Sequence, residues 1–193
     1  RRSEEVQRLL ARELNHRVKN LLSIVSAIIV RTHRTQSADE FLPSVTARLR
    51  ALARAADLLV DTEWTRVPVG ELVERTLDSL PHLSGRIQAV GPALELAAGP
   101  SLTLGLVLHE LATNAMKYGA LGSGGGMVRL SWYDDEGRAH FSWIEEGGAP
   151  VIPPARKGFG SQLIERTMAD SKGEMEMEFA PGGLRCKFLL PLA

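Results

Sequence analysis

The sequence predicts an α+β protein: an N-terminal helical hairpin followed by a layered sandwich of helices and antiparallel strands. Apolar residues recur at helical spacing through residues 1–62. After Trp64 the spacing switches repeatedly between about 3.6 and about 2 residues. The strand candidates of this second part do not alternate with helices in the β–α–β rhythm of a parallel sheet. With 193 residues, 44% of them hydrophobic, the chain suffices for one ordinary domain or a small domain with a helical appendage. The expected division is 1–62 for the hairpin and 63–193 for the sandwich.

The first element is a long amphipathic helix over residues 3–34. At ~100° per residue from Leu14, the side chains of Leu10, Val18, Leu21, Leu22, Val25, Ile28 and Ile29 stay within about a third of the circumference. His16 lies about 200° from Leu14, beside Arg12, Asn20 and Ser23, and so faces away from the stripe. The second helix is "SADEFLPSVTARLRALARAADLLV", with Ser37 or Asp39 as cap and Pro43 tolerable only near its first turn. Leu42, Val45, Leu49, Leu52, Ala56 and Leu59 give its apolar face. Joined by a short link, the two make an antiparallel hairpin that cannot bury both stripes alone. Pairing with a second copy into a four-helix bundle is the expected solution. Docking on the rest of a monomeric chain is the other.

Further on, "VPVGELVERTLDSL" predicts a short helix over 68–80, and strands follow at 86–90 and 93–97. "GPSLTLGLVLHELATNAMKYGAL" is a helix opening near Ser101 and ending before Gly119, then strands at 127–133 and 139–146. "SQLIERTMADS" is a helix, and "EMEMEFA" and "LRCKFLLPL" close the chain as strands. The helix over 102–118 is apolar nearly all round, with one polar strip about 60° wide made of Thr103, Glu110, Asn114 and Lys117. An acid, an amide oxygen and an ammonium at this spacing suit a hydroxyl or water, a hard cation and a phosphate. The same strip also reads as an internal Glu–Lys pair with a satisfied Asn. "GFGS" at 158–161 sits directly before a helix, where backbone amides favour phosphate, although such glycines are commonly caps and turns.

Lys plus Arg equals Asp plus Glu, at 23 each, so no global charge points to nucleic acid. The single cysteine, Cys186, excludes an intrachain disulfide and a cysteine-built metal site, which fits a reducing, cytoplasmic compartment. No apolar run is long enough to span a bilayer. The start "RRSEE", without Met, suggests a piece of a longer protein whose sensor domain lies upstream.

"ELNHRVKN", "LHELATNAMKYGAL", "SWIEEGGAPV" and "GFGSQLIER", in that order and spacing, resemble the HWE-type sensor histidine kinases. That family is named for a histidine in the second motif and a Trp-x-Glu in the third, here His109, Trp143 and Glu145. The resemblance covers nearly the whole chain, including "RLRAL", "DLL" and "PGGLRCKFLLPL". It implies that the hairpin is a dimerisation and histidine-phosphotransfer element and the sandwich a Bergerat-type ATP-binding domain. No G-x-x-x-x-G-K-[ST] occurs, consistent with a fold outside the Walker class.

By resemblance, His16 is the phosphoacceptor, an imidazole near its ordinary pKa of ~6.5 and therefore largely neutral and nucleophilic. Asn114 is the Mg2+ ligand, Glu110 an activating base or orienting acid, and Lys117 a residue near phosphate. Glu145 accepts the adenine amino group, Gly147 lets the chain bend against the base, and Gly158 and Gly160 form the second glycine box. His109 reads as structural, since the wheel sets it with Leu102, Ala112 and Met116, and Trp143 reads as packing or base stacking. "GAPVIPPARK" would be a short ATP lid in which Arg156 or Lys157 touches phosphate or merely solvent. Two positions depart from the pattern: Ala56 stands where "AHDLL" would have histidine, and Arg17 follows His16 where many histidine kinases have an acid. Glu13 is a candidate proton acceptor for His16 and equally a surface salt-bridge partner.

The implied activity is ATP-dependent autophosphorylation of His16 and transfer to an aspartate on the receiver domain of a response regulator. Two alternatives compete. A phosphotransfer adaptor with a degenerate ATP-like domain is opposed by the presence of Glu110, Asn114, Glu145, Gly158 and Gly160. A Ser/Thr protein kinase of the anti-sigma type is opposed by "ELNHRVKN".

Overall fold

A computed structural model describes residues 21–30, 32, 38–62, 66–78, 80, 85–122, 125–148 and 159–193. His16, Arg156, Lys157 and Gly158 lie outside the described residues. The chain divides into two compact units, residues 1–49 and 50–193.

In the first unit, α1 (residues 21–30) and the start of α2 (Ala38–Asp61) are helical. Ile28 and Val45 are buried, whereas Leu22, Ile29, Val30 and Leu42 are exposed. Pro43 falls in the second turn of α2. The helix therefore forgoes the bond that an N–H at residue 43 would give to the carbonyl of residue 39. Asp39 stands inside the helix, and Ser37 lies outside the described residues.

The second unit opens with the end of α2, where Ala51, Leu52, Ala55, Leu58 and Leu59 are buried. Short β1 (Arg66–Pro68) leads into α3 (Val69–Asp78), whose Val69, Leu72, Val73, Thr76 and Leu77 are buried at helical spacing. β2 (Ile87–Val90), β3 (Glu95–Ala97) and α4 (Ala98–Tyr118) follow. The chain ends in β4 (Met127–Asp135), β5 (Arg138–Glu146), α5 (Phe159–Asp170), β6 (Glu174–Ala180) and β7 (Gly183–Pro191). β1 and β3 pair in a small antiparallel ladder, and the main sheet runs in the order β2-β4-β5-β7-β6. Helix α4 packs between α3 and α5 and is buried from Pro100 to Ala112. Gly105 lets the end of α2 press close, because a Cβ there would lie 2.9 Å from the Ala55 methyl.

The sheet is mixed rather than purely antiparallel: β2 runs parallel to β4, with Ile87 opposite Val128. Parallel neighbours need a long crossover, and the chain from Gly91 to Gly126, with α4 in it, provides one. The remaining pairs are antiparallel. Alternation along each central strand sends one row inward: Val128, Leu130 and Trp132 from β4, Ala139, Phe141, Trp143 and Glu145 from β5, and Leu184, Cys186, Phe188 and Leu190 from β7. Register aligns Leu130, Trp143 and Cys186 in one row across the sheet and Trp132, Phe141 and Phe188 in the next. The Phe141 and Phe188 rings stack at 4.8 Å. The β4–β5 hairpin closes on Glu136 (φ 50) and Gly137 (φ 78), both left-handed as a two-residue type I′ turn demands.

Trp132 is held at the sheet's β2 side, its Nε1 donating to the Pro92 carbonyl at 2.9 Å. Gly91 passes directly under this indole, and a methyl there would collide with the ring. Gly91→Ala is expected to destabilise the domain by about 1–3 kcal/mol, since a rigid ring cannot yield as a flexible chain would. Gly99→Ala, with open space at its Cβ position, should be neutral or stabilising. Denaturant midpoints of the two variants check the contrast.

Candidate active site

Helix α4 contributes its polar strip, and burial grades along it. Thr103 and Glu110 are buried, Asn114 is half-buried and Lys117, in the last turn, is exposed. Thr103 leaves the strip's chemistry, for its hydroxyl pairs with Ser171 Oγ at 2.6 Å beyond the end of α5. Glu110 and Asn114 instead meet the start of α5. A Cβ on Gly160 would lie 2.5 Å from Glu110 Oε2 and 3.6 Å from Asn114 Nδ2. The α5 backbone thus crosses over the carboxylate with no side chain between them, bringing together residues of the second and fourth motifs. His109 is 5% exposed, and the Thr113 hydroxyl donates to its carbonyl at 2.7 Å.

β5 contributes the second cluster. Glu145 continues the inward row of Ala139, Phe141 and Trp143, which leaves a carboxylate only 3% exposed at the edge of an apolar face. Its Oε2 accepts the Ala120 N–H at 2.9 Å, and its Oε1 accepts Trp143 Nε1–H at 3.2 Å. Gly119 makes that approach possible, because a Cβ there would overlap Oε2. Burial pushes the Glu145 carboxyl above the usual range, and the Ala120 and Trp143 N–H groups pull it partly back. Trp143 is fully buried, so its ring packs and its N–H braces Glu145. Opposite Trp143, the Cys186 thiol is pushed up to about 12, first by burial and then by the Glu145 charge. It stays protonated at neutral pH. Gly147, directly after β5, is left-handed at φ 73 and turns the chain away from the strand.

The sequence reading missed the turn after α4. Gly119 and Ala120 touch Glu145, and the only sequence signal for them is a glycine just past a helix end. Among the described residues, no group of three or more His, Cys, Asp or Glu is gathered to hold a metal. Nor, among them, is any helix long and apolar enough to cross a membrane.

Residues 13–96 match the family described as HWE histidine kinase. A blue-light-activated histidine kinase of Brucella anthropi is 35% identical over 202 residues, spanning 100% of this chain and 40% of that protein. Blue-light-activated histidine kinase 1 of Erythrobacter litoralis is 36% identical over 199 residues, spanning 100% of this chain and 55% of that protein. The chain therefore spans about half the length of the curated relatives it matches. Among solved structures, an Erythrobacter litoralis blue-light-activated histidine kinase superposes with a TM-score of 0.71 at 24% identity, covering 96% of this chain and 59% of that one. The histidine kinase domain of a protein of that description and organism gives 0.64 at 16% identity, covering 90% and 94%. At such identities the likeness is one of fold, an α+β ATP-binding sandwich of the Bergerat kind.

The raised pKa of Glu145 has a sign that can be checked. A carboxyl whose folded pKa lies above its unfolded value contributes stability that is present below the unfolded pKa and lost as pH rises through the folded one. Relative to Glu145→Gln, the wild type should therefore lose thermal stability as pH rises above about 4.3, the ordinary glutamate value, through its raised folded one. Paired unfolding curves across that range would show it as a shrinking or reversing difference in Tm.

Proposed function

We propose that the chain, which matches the HWE histidine kinase family over residues 13–96 and blue-light-activated histidine kinases over its whole length, is an ATP-dependent protein-histidine kinase of a two-component system. His16 takes the γ-phosphoryl group of ATP and passes it to an aspartate on the receiver domain of a response regulator. The observation that carries this reading is the meeting of Glu110, Asn114 and Gly160 at one point. A buried acid and a half-buried amide there meet a bare backbone at the start of α5, an arrangement suited to a polyphosphate.

In this reading the base and the phosphates are held by different elements. Glu145 accepts the adenine amino group; each of its oxygens already accepts one N–H and retains a second lone pair. A guanine would present a carbonyl at the same place and be repelled. Gly147 bends the chain against the base, while Gly160 brings its backbone N–H to the phosphates at the start of α5, with Gly158 as the other glycine of that box. Lys117, exposed at the end of α4, supplies a positive charge on the phosphate side. Asn114 offers a hard oxygen suited to Mg2+, a cation that keeps most of its ligands from phosphate and water. When bound, that ion neutralises charge on the β- and γ-phosphates.

Glu110, sealed beneath Gly160, orients the hydrogen-bond network at the reacting end or accepts a proton there. The neutral imidazole of His16 attacks phosphorus as the bond to the departing ADP oxygen breaks, so positioning and charge neutralisation carry most of the catalysis. The N–P bond is labile, which makes phosphohistidine a transfer intermediate. Exposed Leu22, Ile29, Val30 and Leu42 favour a homodimer in which a second copy covers them. Such a kinase works in the cytoplasm, the source of its ATP.

Incubation with γ-labelled ATP and Mg2+ tests the reading. Wild type should take up acid-labile label, His16→Ala none, and Asn114→Ala at least about a hundredfold less in initial rate, the scale of losing one group that stabilises transition-state charge. Full labelling of His16→Ala would overturn the assignment. Absence of Mg-ATP binding by wild type, in calorimetry, would instead favour a phosphotransfer adaptor.

A further inference from the structure

Arg86 stands at the entry to β2, outside every motif that carries the family resemblance. Its own carbonyl accepts the Val128 N–H at 2.9 Å, which fixes its backbone to β4. Its side chain reaches across to the turn after α4. Nε donates to the Gly126 carbonyl at 3.0 Å; Nη2 donates to Gly126 at 2.8 Å and to Ala120 at 2.9 Å. Nη1 donates to Leu121 at 3.0 Å and to Gly122 at 3.4 Å. These bonds occupy the full fork of five N–H groups, and every acceptor is a backbone carbonyl. The guanidinium also sits at the carbonyl end of α4, where the helix dipole favours a cation.

The residues so held are those that shape the base-side cluster. Ala120 is clamped through its carbonyl by Arg86 and donates its N–H to Glu145. Gly126 lies between that clamp and the residues after β5, since a Cβ on it would meet the Glu146 carbonyl at 2.5 Å and the Gly148 nitrogen at 2.8 Å. One side chain therefore fixes the amide that fixes the carboxylate. We infer that Arg86 is a positioning residue for adenine recognition, holding residues 120–122 and 126 so that Glu145 meets the base in one orientation. This rests on the reading of Glu145 as the adenine-recognising carboxylate.

A brace that served only the fold would, on removal, weaken all nucleotides alike. A positioning role singles out the base that Glu145 reads. Inosine diphosphate carries a carbonyl where adenosine diphosphate carries the amino group, and the two otherwise share sugar and phosphates. Calorimetric binding of Mg-ADP and Mg-IDP to the 193-residue chain, as wild type, Arg86→Gln and Arg86→Lys, separates the roles. Wild type should prefer ADP by about tenfold or more, the worth of a hydrogen bond to a charged group. Both variants should lose most of that preference, with ADP affinity falling about tenfold and IDP affinity changing by less than about twofold.

Arg86→Lys keeps the charge and most of the reach, so it carries the test if the glutamine variant does not fold. Preserved ADP preference in the folded variants, or an equal fall for both nucleotides, would overturn the role of Arg86 alone. A wild type that binds ADP and IDP equally would overturn the adenine reading of Glu145 and this inference with it.

Discussion

A carboxylate enclosed in the apolar face of a sheet is costly unless donors meet it, and Glu145 is such a group. It occupies the last inward position of β5, after Ala139, Phe141 and Trp143. Its two donors come from different places, the indole two residues earlier and the amide of Ala120, and the second exists only if the turn after α4 is held. Much of the local architecture follows from that need. Gly119 has no side chain to block the contact, Arg86 binds the carbonyls of Ala120, Leu121, Gly122 and Gly126, and Cys186 across the strand stays neutral beside the charge.

The other end of the site obeys a different constraint. Glu110 is also buried, but what approaches it is backbone: α5 begins over it with Gly160 as the point of contact. One end is thus specified by hydrogen bonds to a side chain, the other by the absence of a side chain. On the proposed function, such a division suits a nucleotide whose base must be identified and whose phosphates must be admitted closely. The two ends share α4, which brings Glu110 and Asn114 to the start of α5 and leads into Gly119 and Ala120, which meet Glu145 of β5.

Elements with strong periodicity could be read from the chain directly. The spacing of Leu72, Val73, Thr76 and Leu77 predicts α3, the alternation of Phe141 and Trp143 predicts β5, and the all-round apolarity of residues 102–118 predicts a buried α4. The polar strip of α4 could be read as well, yet its members divide: Thr103 turns to Ser171, whereas Glu110 and Asn114 meet Gly160. A helical wheel gives direction but not what lies opposite. The parallel pairing of β2 with β4 was not readable, because β2 is four residues long and its partner lies beyond a whole helix. Arg86 was invisible for a related reason: its partners are carbonyls, and any residue type offers one. The apolar face of α2 differs from the stripe of Leu42, Val45, Leu49, Leu52, Ala56 and Leu59: Leu42 is exposed, whereas Ala51, Ala55 and Leu58 are buried.

The distances along the chain that separate these partners have a consequence for how the molecule comes into being. Arg86 and Gly126 are 40 residues apart, and Ala120 and Glu145 are 25 apart. Helices α3 and α4 can form from neighbouring residues as they leave the ribosome, but the Glu145 and Glu110 clusters are complete only when β5 and α5 have been added. A half-made chain therefore exposes a long, almost wholly apolar α4 with nothing laid against most of it. Synthesis passes through a stage at which this apolar helix is largely uncovered, and that stage ends only when β5 and α5 have been added.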